Sequence, residues 1–317
     1  MSTTADTRDR RPVLEVDDLV VQYVGDRRST TAVDHVSFSI APGEVFGLAG
    51  ESGCGKSTIA NAVMRLLKYP ASIRGGQIRF DGTDVLGLSG EELRAFRWSE
   101  AAMVFQSAMN SLNPVLTIGE QMGDVFTTHR KVSKRQAREE AARLLEMVSI
   151  TPDRLKAYPH QLSGGMRQRV VIAMACALEP KLLILDEPTT ALDVVVQQEI
   201  MAQIKDLQHQ LGFAILFITH DMSLMVELSD RMAVMYAGRF VEQGRASDLL
   251  HDPQHPYTKA LMNAFPPLTG PRKPLSGLGE GRRFSDIGDL VETSPGHWVA
   301  PLGAADVARF EKEAMSA

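Results

Sequence analysis

Two cysteines, Cys54 and Cys176, are all that the 317 residues contain. They are too few for a disulfide framework and lack zinc-site spacing, so both are expected to be thiols in a reducing compartment. A basic excess is also missing: 34 Lys and Arg stand against 39 Asp and Glu, a net charge of −5. Nucleic-acid binders usually show the opposite imbalance, so no nucleic-acid partner is expected. The longest apolar run, Val170 to Leu178, falls far short of the ~20 residues that span a bilayer. The start, MSTTADTRDRRPV, carries charges but no apolar stretch of the kind a signal peptide needs. Any membrane role therefore runs through a partner.

What remains is a chain 44% hydrophobic and 23% charged, long enough to bury a substantial core. VLEVDDLVVQYV and VSFSI read as strands, the second placing Val36, Phe38 and Ile40 on one face. APGE is a turn, VFGLA a buried strand, and Ile59, Val63, Leu66 and Leu67 mark the helix that follows and stops before Pro70. QIRFDGTDV is a short β region with an Asp-Gly turn. From Met109 to about Gln161 the pattern is helical. Ser133 and Gln136 form a capping box there, followed by the stripe Ala137, Ala141, Leu144, Leu145 and Val148. Its basic residues (Arg130, Lys131, Lys134, Arg135, Arg138, Arg143) read as a solvated face.

The order then runs helix, strand KLLILDEP, helix, strand FAILFITHD, which implies a mostly parallel sheet covered by helices. MAVMYAGRFVEQG is expected to close the core near residue 245. Residues 266–296 hold five prolines and six glycines and are expected to be irregular. No internal repeat is found.

The chemistry begins with GESGCGKS, Gly50 to Ser57, which matches G-x-x-x-x-G-K-[ST] between an expected strand and an expected helix. Backbone N–H groups of such a loop curl around phosphates, and the helix N-terminus adds partial positive charge. Gly50, Ser52, Gly53, Cys54, Gly55, Lys56, Ser57 and Thr58 are the candidate nucleotide-binding residues here. Lys56 is placed to reach the β- and γ-phosphates and Ser57 to ligate Mg²⁺; Cys54 fills a free position. In LLILDE, four apolar residues deliver Asp186 and Glu187 to a strand end, where open α/β sheets bind ligands. Asp186 is a candidate Mg²⁺ partner, and Glu187 can orient the attacking water. A second glycine-rich turn, LSGGMRQR, opens a helix at Ser163, Gly164 and Gly165 but has no phosphate-loop lysine.

Taken with VFQS, ALD and ITHD in the same order, these elements resemble the ATPase subunit of ABC transporters over residues 13 to about 250. The resemblance implies an α/β P-loop ATPase fold: a mostly parallel sheet, an antiparallel β subdomain and a helical subdomain at about 109–162. A flexible leader (1–12) would precede it and an irregular extension (251–317) follow it. It implies that Tyr23 stacks on adenine, although a packed strand tyrosine is the alternative. It further implies that Gln106 contacts Mg²⁺ and the water, that His220 contacts the γ-phosphate, and that Glu187, His220, Lys56 and Gln106 carry hydrolysis. Ser163, Gly164, Gly165 and Asp193 would serve a nucleotide held by another subunit. ATP and Mg²⁺ are the implied cofactors.

FQSAMNSLNPVLTIGEQ, HPYTKALMNAFPPL and SPGHWVA further resemble the oligopeptide/dipeptide importer branch. That branch implies two transmembrane permeases, a solute-binding protein, a second homologous ATPase in a heterodimer, and a place on the cytoplasmic face of the membrane. Its cargoes include peptides, nickel and oligosaccharides. Many members also carry four C-terminal cysteines for an iron–sulfur cluster. No cysteine follows Cys176 here, so no cluster is expected.

Three other classes fit less well. DNA-repair ATPases of this type insert long coiled coils between the phosphate loop and the signature turn, where this chain has only about 105 residues. Translation-associated relatives carry two cassettes. A silent binding module would not need Lys56, Asp186, Glu187 and His220 together.

Overall fold

The computed structural model describes residues 11–25, 29–106, 111–130, 132–190, 192–263, 287–303 and 306. An antiparallel sheet opens the chain, built from β1 (Leu14–Val24), β2 (Ser29–Ile40), β4 (Ala71–Phe80) and β5 (Thr83–Asp84) in the order β2-β1-β4-β5. Alternation fixes which face is buried: Val36, Phe38 and Ile40 point inward while their neighbours reach solvent.

The larger sheet has the order β11-β12-β10-β9-β3-β8-β7-β6. β3 (Val45–Ala49), β6 (Ala101–Val104), β7 (Leu182–Asp186), β8 (Ala214–Ile218) and β9 (Arg231–Tyr236) are mutually parallel neighbours. All five residues of β3, β7 and β8 are buried. Continuous apolar runs such as LLIL and AILFI suit strands covered on both faces. One cover is the antiparallel sheet with α1 (Lys56–Val63), where Phe38 stacks on Phe46 at 5.1 Å between ring centroids. Short α2 (Gly90–Ala95) follows β5.

The other cover comes from α3 (Ile118–His129), α4 (Lys134–Met147), α5 (Gly164–Cys176), α6 (Val194–Leu211) and α7 (Met222–Leu228). The capping box at α4 forms as the sequence requires: Ser133 Oγ accepts from Gln136 N at 3.3 Å, and Gln136 Oε1 accepts from Ser133 N at 3.0 Å. Ala137, Ala141, Leu144, Leu145 and Val148 are all buried. Arg130, Lys134, Arg135, Arg138 and Arg143 are exposed, and Arg130 and Arg143 both reach Glu179. Lys131 lies outside the described residues.

Two expectations are corrected beyond β10 (Arg239–Arg245), which pairs antiparallel with β9. The core does not close near residue 245. Ala246 and Leu249 of α8 (Ala246–His251) and Tyr257 of α9 (Pro256–Asn263) belong to the same buried cluster as the parallel strands. Nor is residues 266–296 irregular to its end. β11 (Val291–Ser294) and β12 (His297–Val299) form a ribbon, and β12 pairs with β10 at Glu242↔Val299 and Gln243↔Trp298. The proline and glycine content of that span carries no information about the unpaired edge of β10, with which β12 pairs. Residues 1–10, 107–110 and 264–286, on which parts of the leader, the VFQS stretch and the extension fall, lie outside the description.

Candidate functional site

Parallel strands β3 and β7, with β8 between them, bring the motifs together at one sheet end. From β3 the chain turns through Gly50–Gly55 into α1. Gly50 (φ +144°) and Gly55 (φ +118°) occupy left-handed backbone that side chains rarely adopt. Space forbids a side chain as well: a Cβ on Gly50 would sit 2.2 Å from Met235 O, and one on Gly55 2.2 Å from Ala32 O. No side chain caps the start of α1, so its amides remain available to an anion.

Lys56 is buried, and its Nζ donates to Gly50 O and Glu51 O, each at 2.8 Å, with Cys54 Sγ 3.5 Å away. Cys54 is buried within the loop, and burial pushes its thiol up despite the neighbouring Lys56 ammonium. Ser52 and Gly53 are exposed at the loop's tip. Thr58 Oγ1 lies 3.5 Å from the Tyr23 hydroxyl, so β1 delivers Tyr23 to the loop with its side chain partly exposed.

Ser57 Oγ donates to Asp186 Oδ1 at 3.0 Å, joining the loop to the end of β7. Burial is the main influence on Asp186 and raises its pKa. The Ser57 hydrogen bond opposes this, the Glu187 charge adds to it, and Lys56 opposes it. A buried carboxylate beside a hydroxyl oxygen is a hard donor pair of the kind Mg²⁺ accepts.

Glu187 follows in left-handed backbone, φ +48°, unusual for a residue with a side chain. Its amide donates to Ile218 O at 2.8 Å, which locks the turn to β8. Its carboxylate meets three groups from three segments. Gln106 Nε2 donates to Oε2 at 2.9 Å, Thr190 Oγ1 donates to the same oxygen at 3.0 Å, and His220 Nδ1 stands 3.5 Å from Oε1. Thr190 was not singled out in the sequence. Its only signal there was a position three residues after Glu187, the reach of a hydroxyl within one turn.

LSGGMRQR, the signature turn of the resemblance, is elsewhere in its bonding. Ser163 caps α5, its Oγ accepting from Met166 N at 3.2 Å, and Gly165 packs against Val196 at the start of α6. Asp193 caps α6, its Oδ1 accepting from Val196 N at 3.0 Å. Ser163, Gly164, Gly165 and Asp193 thus form a group centred on two helix starts. Tyr23, the phosphate loop, Gln106, Asp186, Glu187 and His220 form another, linked through Ser57–Asp186.

Comparison with known proteins gives the relatives of this chain. The family described as ABC transporter matches residues 33–190, and the one described as Oligopeptide/dipeptide transporter, C-terminal region, matches residues 241–284. Dipeptide transport ATP-binding protein DppD of Bacillus subtilis is 46% identical over 260 residues, 81% of this chain and 77% of that protein. Oligopeptide transport ATP-binding protein OppD of Salmonella typhimurium is 46% identical over 258 residues, 81% and 77% of the two chains. Among solved structures, a dimeric post-hydrolysis state of an ATP-binding cassette bound to ADP and Pi aligns with TM-score 0.65 and 28% identity. It covers 74% of this chain and 98% of that one.

Proposed function

We propose, on the premise that this chain belongs to the ABC transporter family as an ATP-hydrolysing transport subunit, that it energises peptide uptake and that the residues around Glu187 drive turnover. The observation that carries the reading is the convergence of Gln106, Thr190 and His220 on the Glu187 carboxylate, beside the Ser57–Asp186 contact.

Phosphoryl transfer needs positioning and charge stabilisation more than covalent chemistry. The amides of Gly53, Gly55, Lys56, Ser57 and Thr58 would receive the phosphates. Cys54 lines the loop with its amide donating to Glu51 O at 3.3 Å, and Ser52 stands at the rim with the Lys56 ammonium at the γ end. Tyr23 holds the adenine. Ser57, Asp186 and Gln106 would hold Mg²⁺, which would supply neutralisation of phosphate charge when bound with the nucleotide. Glu187, aimed by Gln106 and Thr190, accepts a hydrogen bond from the attacking water, and His220 donates toward the γ-phosphate. Ser163, Gly164, Gly165 and Asp193 complete the site of a second subunit. The dimer reported for the aligned cassette supports this arrangement.

Names of the matched relatives favour dipeptides and oligopeptides as cargo. We place the chain at the cytoplasmic membrane face, held by two permeases, with a second homologous ATPase and a solute-binding protein. Among the described residues no helix is long and apolar enough to cross a membrane. No iron–sulfur cluster is assigned: four thiolates are typical of one, whereas the chain has two cysteines, both buried, the Cys176 thiol pushed up to about 12 by burial.

The test is Glu187→Gln, which keeps the shape and removes the charge. Turnover of MgATP should fall by at least about 100-fold while ATP is retained and a dimer accumulates on size exclusion. Unaltered hydrolysis would exclude the role given to Glu187.

A further inference from the structure

The peptide unit between Gly50 and Glu51 is gripped from both sides. Its N–H, on Glu51, donates to the Tyr257 hydroxyl oxygen at 3.0 Å. Its C=O, on Gly50, accepts from Lys56 Nζ at 2.8 Å. A peptide is planar, with N–H and C=O pointing opposite ways, so holding one end aims the other. The next carbonyl, Glu51 O, takes a further Lys56 N–H at 2.8 Å.

Tyr257 lies 206 positions from Glu51, in the segment that follows the core motifs. It is well anchored. Its side chain is 1% exposed, and its ring meets that of Tyr236 edge-on at 4.8 Å. Its amide donates to His255 Nδ1 at 3.1 Å. The amides of Gln254 and His255 donate to the Glu242 carboxylate at 2.8 and 3.0 Å, and His297 Nε2 stands 2.7 Å from Glu242 Oε1. Glu242 is fully buried, so this polar knot ties β10, the turn before α9, and β12 into one rigid piece. On its other side the loop meets Met235, next to Tyr236 in β9: a Cβ on Gly50 would lie 2.2 Å from the Met235 carbonyl oxygen. Burial raises the Tyr257 hydroxyl above its ordinary range, so it stays neutral.

We propose that Tyr257 is a positioning residue for the nucleotide site: its hydroxyl holds the Gly50–Glu51 peptide so that the Gly50 carbonyl receives the Lys56 ammonium. The C-terminal extension thereby sets the geometry of the phosphate loop. This rests on reading that loop as the ATP site. A free peptide there could rotate, and Lys56 would spend part of its time aimed away from the phosphates. The effect falls on nucleotide affinity, because Glu187, Gln106 and His220 are held by other segments.

The experiment compares the full chain with Tyr257→Phe and with Leu249→Val, a control in buried α8. MgATP binding is followed by calorimetry, turnover by phosphate release and stability by thermal melting. Tyr257→Phe should weaken MgATP binding and raise KM about three- to tenfold, the worth of one hydrogen bond, with kcat within about twofold. Leu249→Val should lower Tm without changing affinity. Wild-type affinity in Tyr257→Phe, beside a wild type that binds MgATP, overturns the positioning role alone. A wild type that binds no MgATP overturns the site reading and the positioning role with it. Should Tyr257→Phe fail to fold, hydrogen exchange of the Glu51 amide in the wild type decides. Strong protection without nucleotide supports the contact, and exchange at the rate of an open loop overturns it.

Discussion

The Gln106 side-chain amide donates to Glu187 Oε2 at 2.9 Å, joining residues 81 positions apart in the chain. Thr190 donates to the same oxygen, so both donors fix Oε2 and leave Oε1 directed at His220. The carboxylate is thus held in one orientation by groups of the protein itself, as the proposed positioning of a water molecule requires.

Removing one of these donors should slow chemistry more than it weakens binding. Gln106→Ala is expected to lower kcat about 10- to 100-fold, the range for a hydrogen bond to a charged group, with KM nearly unchanged. Thr190→Val should show a smaller loss. In the double variant the losses should not add, since each donor partly covers for the other. Steady-state hydrolysis of the four proteins measures the coupling, and simple additivity would mean the donors act independently.

Asp186 makes a pH prediction. Its folded pKa lies above the ordinary 3.8, chiefly through burial. The folded state therefore binds more protons than the unfolded state in the window just above that value, and stability declines as pH rises through it. The cost persists at pH 7 and vanishes below the unfolded pKa. Asp186→Asn should accordingly raise the nucleotide-free Tm at pH 7 relative to wild type, with the difference shrinking toward pH 4. The same variant should lose most of the Tm gain that MgATP gives the wild type. Calorimetry at both pH values tests the two signs together.

Two of the three phosphate-loop glycines, Gly50 and Gly53, should not respond alike to alanine. At Gly50 a methyl meets Met235 O at 2.2 Å in left-handed backbone, whereas at Gly53 (φ +81°) it meets nothing within 4 Å. Gly53→Ala is expected to cost about 1–2 kcal/mol of backbone strain, and Gly50→Ala at least ~3 kcal/mol once overpacking is added. Urea unfolding would resolve that gap, and equal costs would show that strain alone decides.

Gly164→Asp addresses the signature turn. It puts a carboxylate where the second subunit's γ-phosphate is expected, at a helix start whose own hydrogen bonds are local. MgATP binding by the isolated chain should stay within about twofold of wild type, while dimer-dependent hydrolysis falls by at least about 100-fold. In dimers of this chain with itself, mixing this variant with Lys56→Ala should restore part of the activity, because one composite site per mixed dimer keeps both good halves.

Much of the fold was legible because its signals are local. Alternation in VSFSI, the Ser133–Gln136 capping box and the apolar runs LLIL and AILFI each specify one element from contiguous residues. The site was legible in part for the same reason: GESGCGKS builds its own loop, since the glycines at 50 and 55 permit the backbone that Lys56 and Ser57 require. Thr190 escaped notice because a threonine after a strand is common, and only the left-handed turn at Glu187 aims its hydroxyl at the carboxylate.

The sequence by itself determined the parallel core, the phosphate loop and the identity of the acids at the end of β7, since each depends on short-range backbone and side-chain preferences. Only the tertiary structure decided that Gln106, Thr190 and His220 share one carboxylate. It alone also seated Tyr257 on the Glu51 amide and made His297–Val299 of SPGHWVA a strand that pairs with β10. Those contacts span from three to 206 positions. They form because folding leaves an amide, a carboxylate or a sheet edge in need of a partner at that place, and no local pattern records who will supply it.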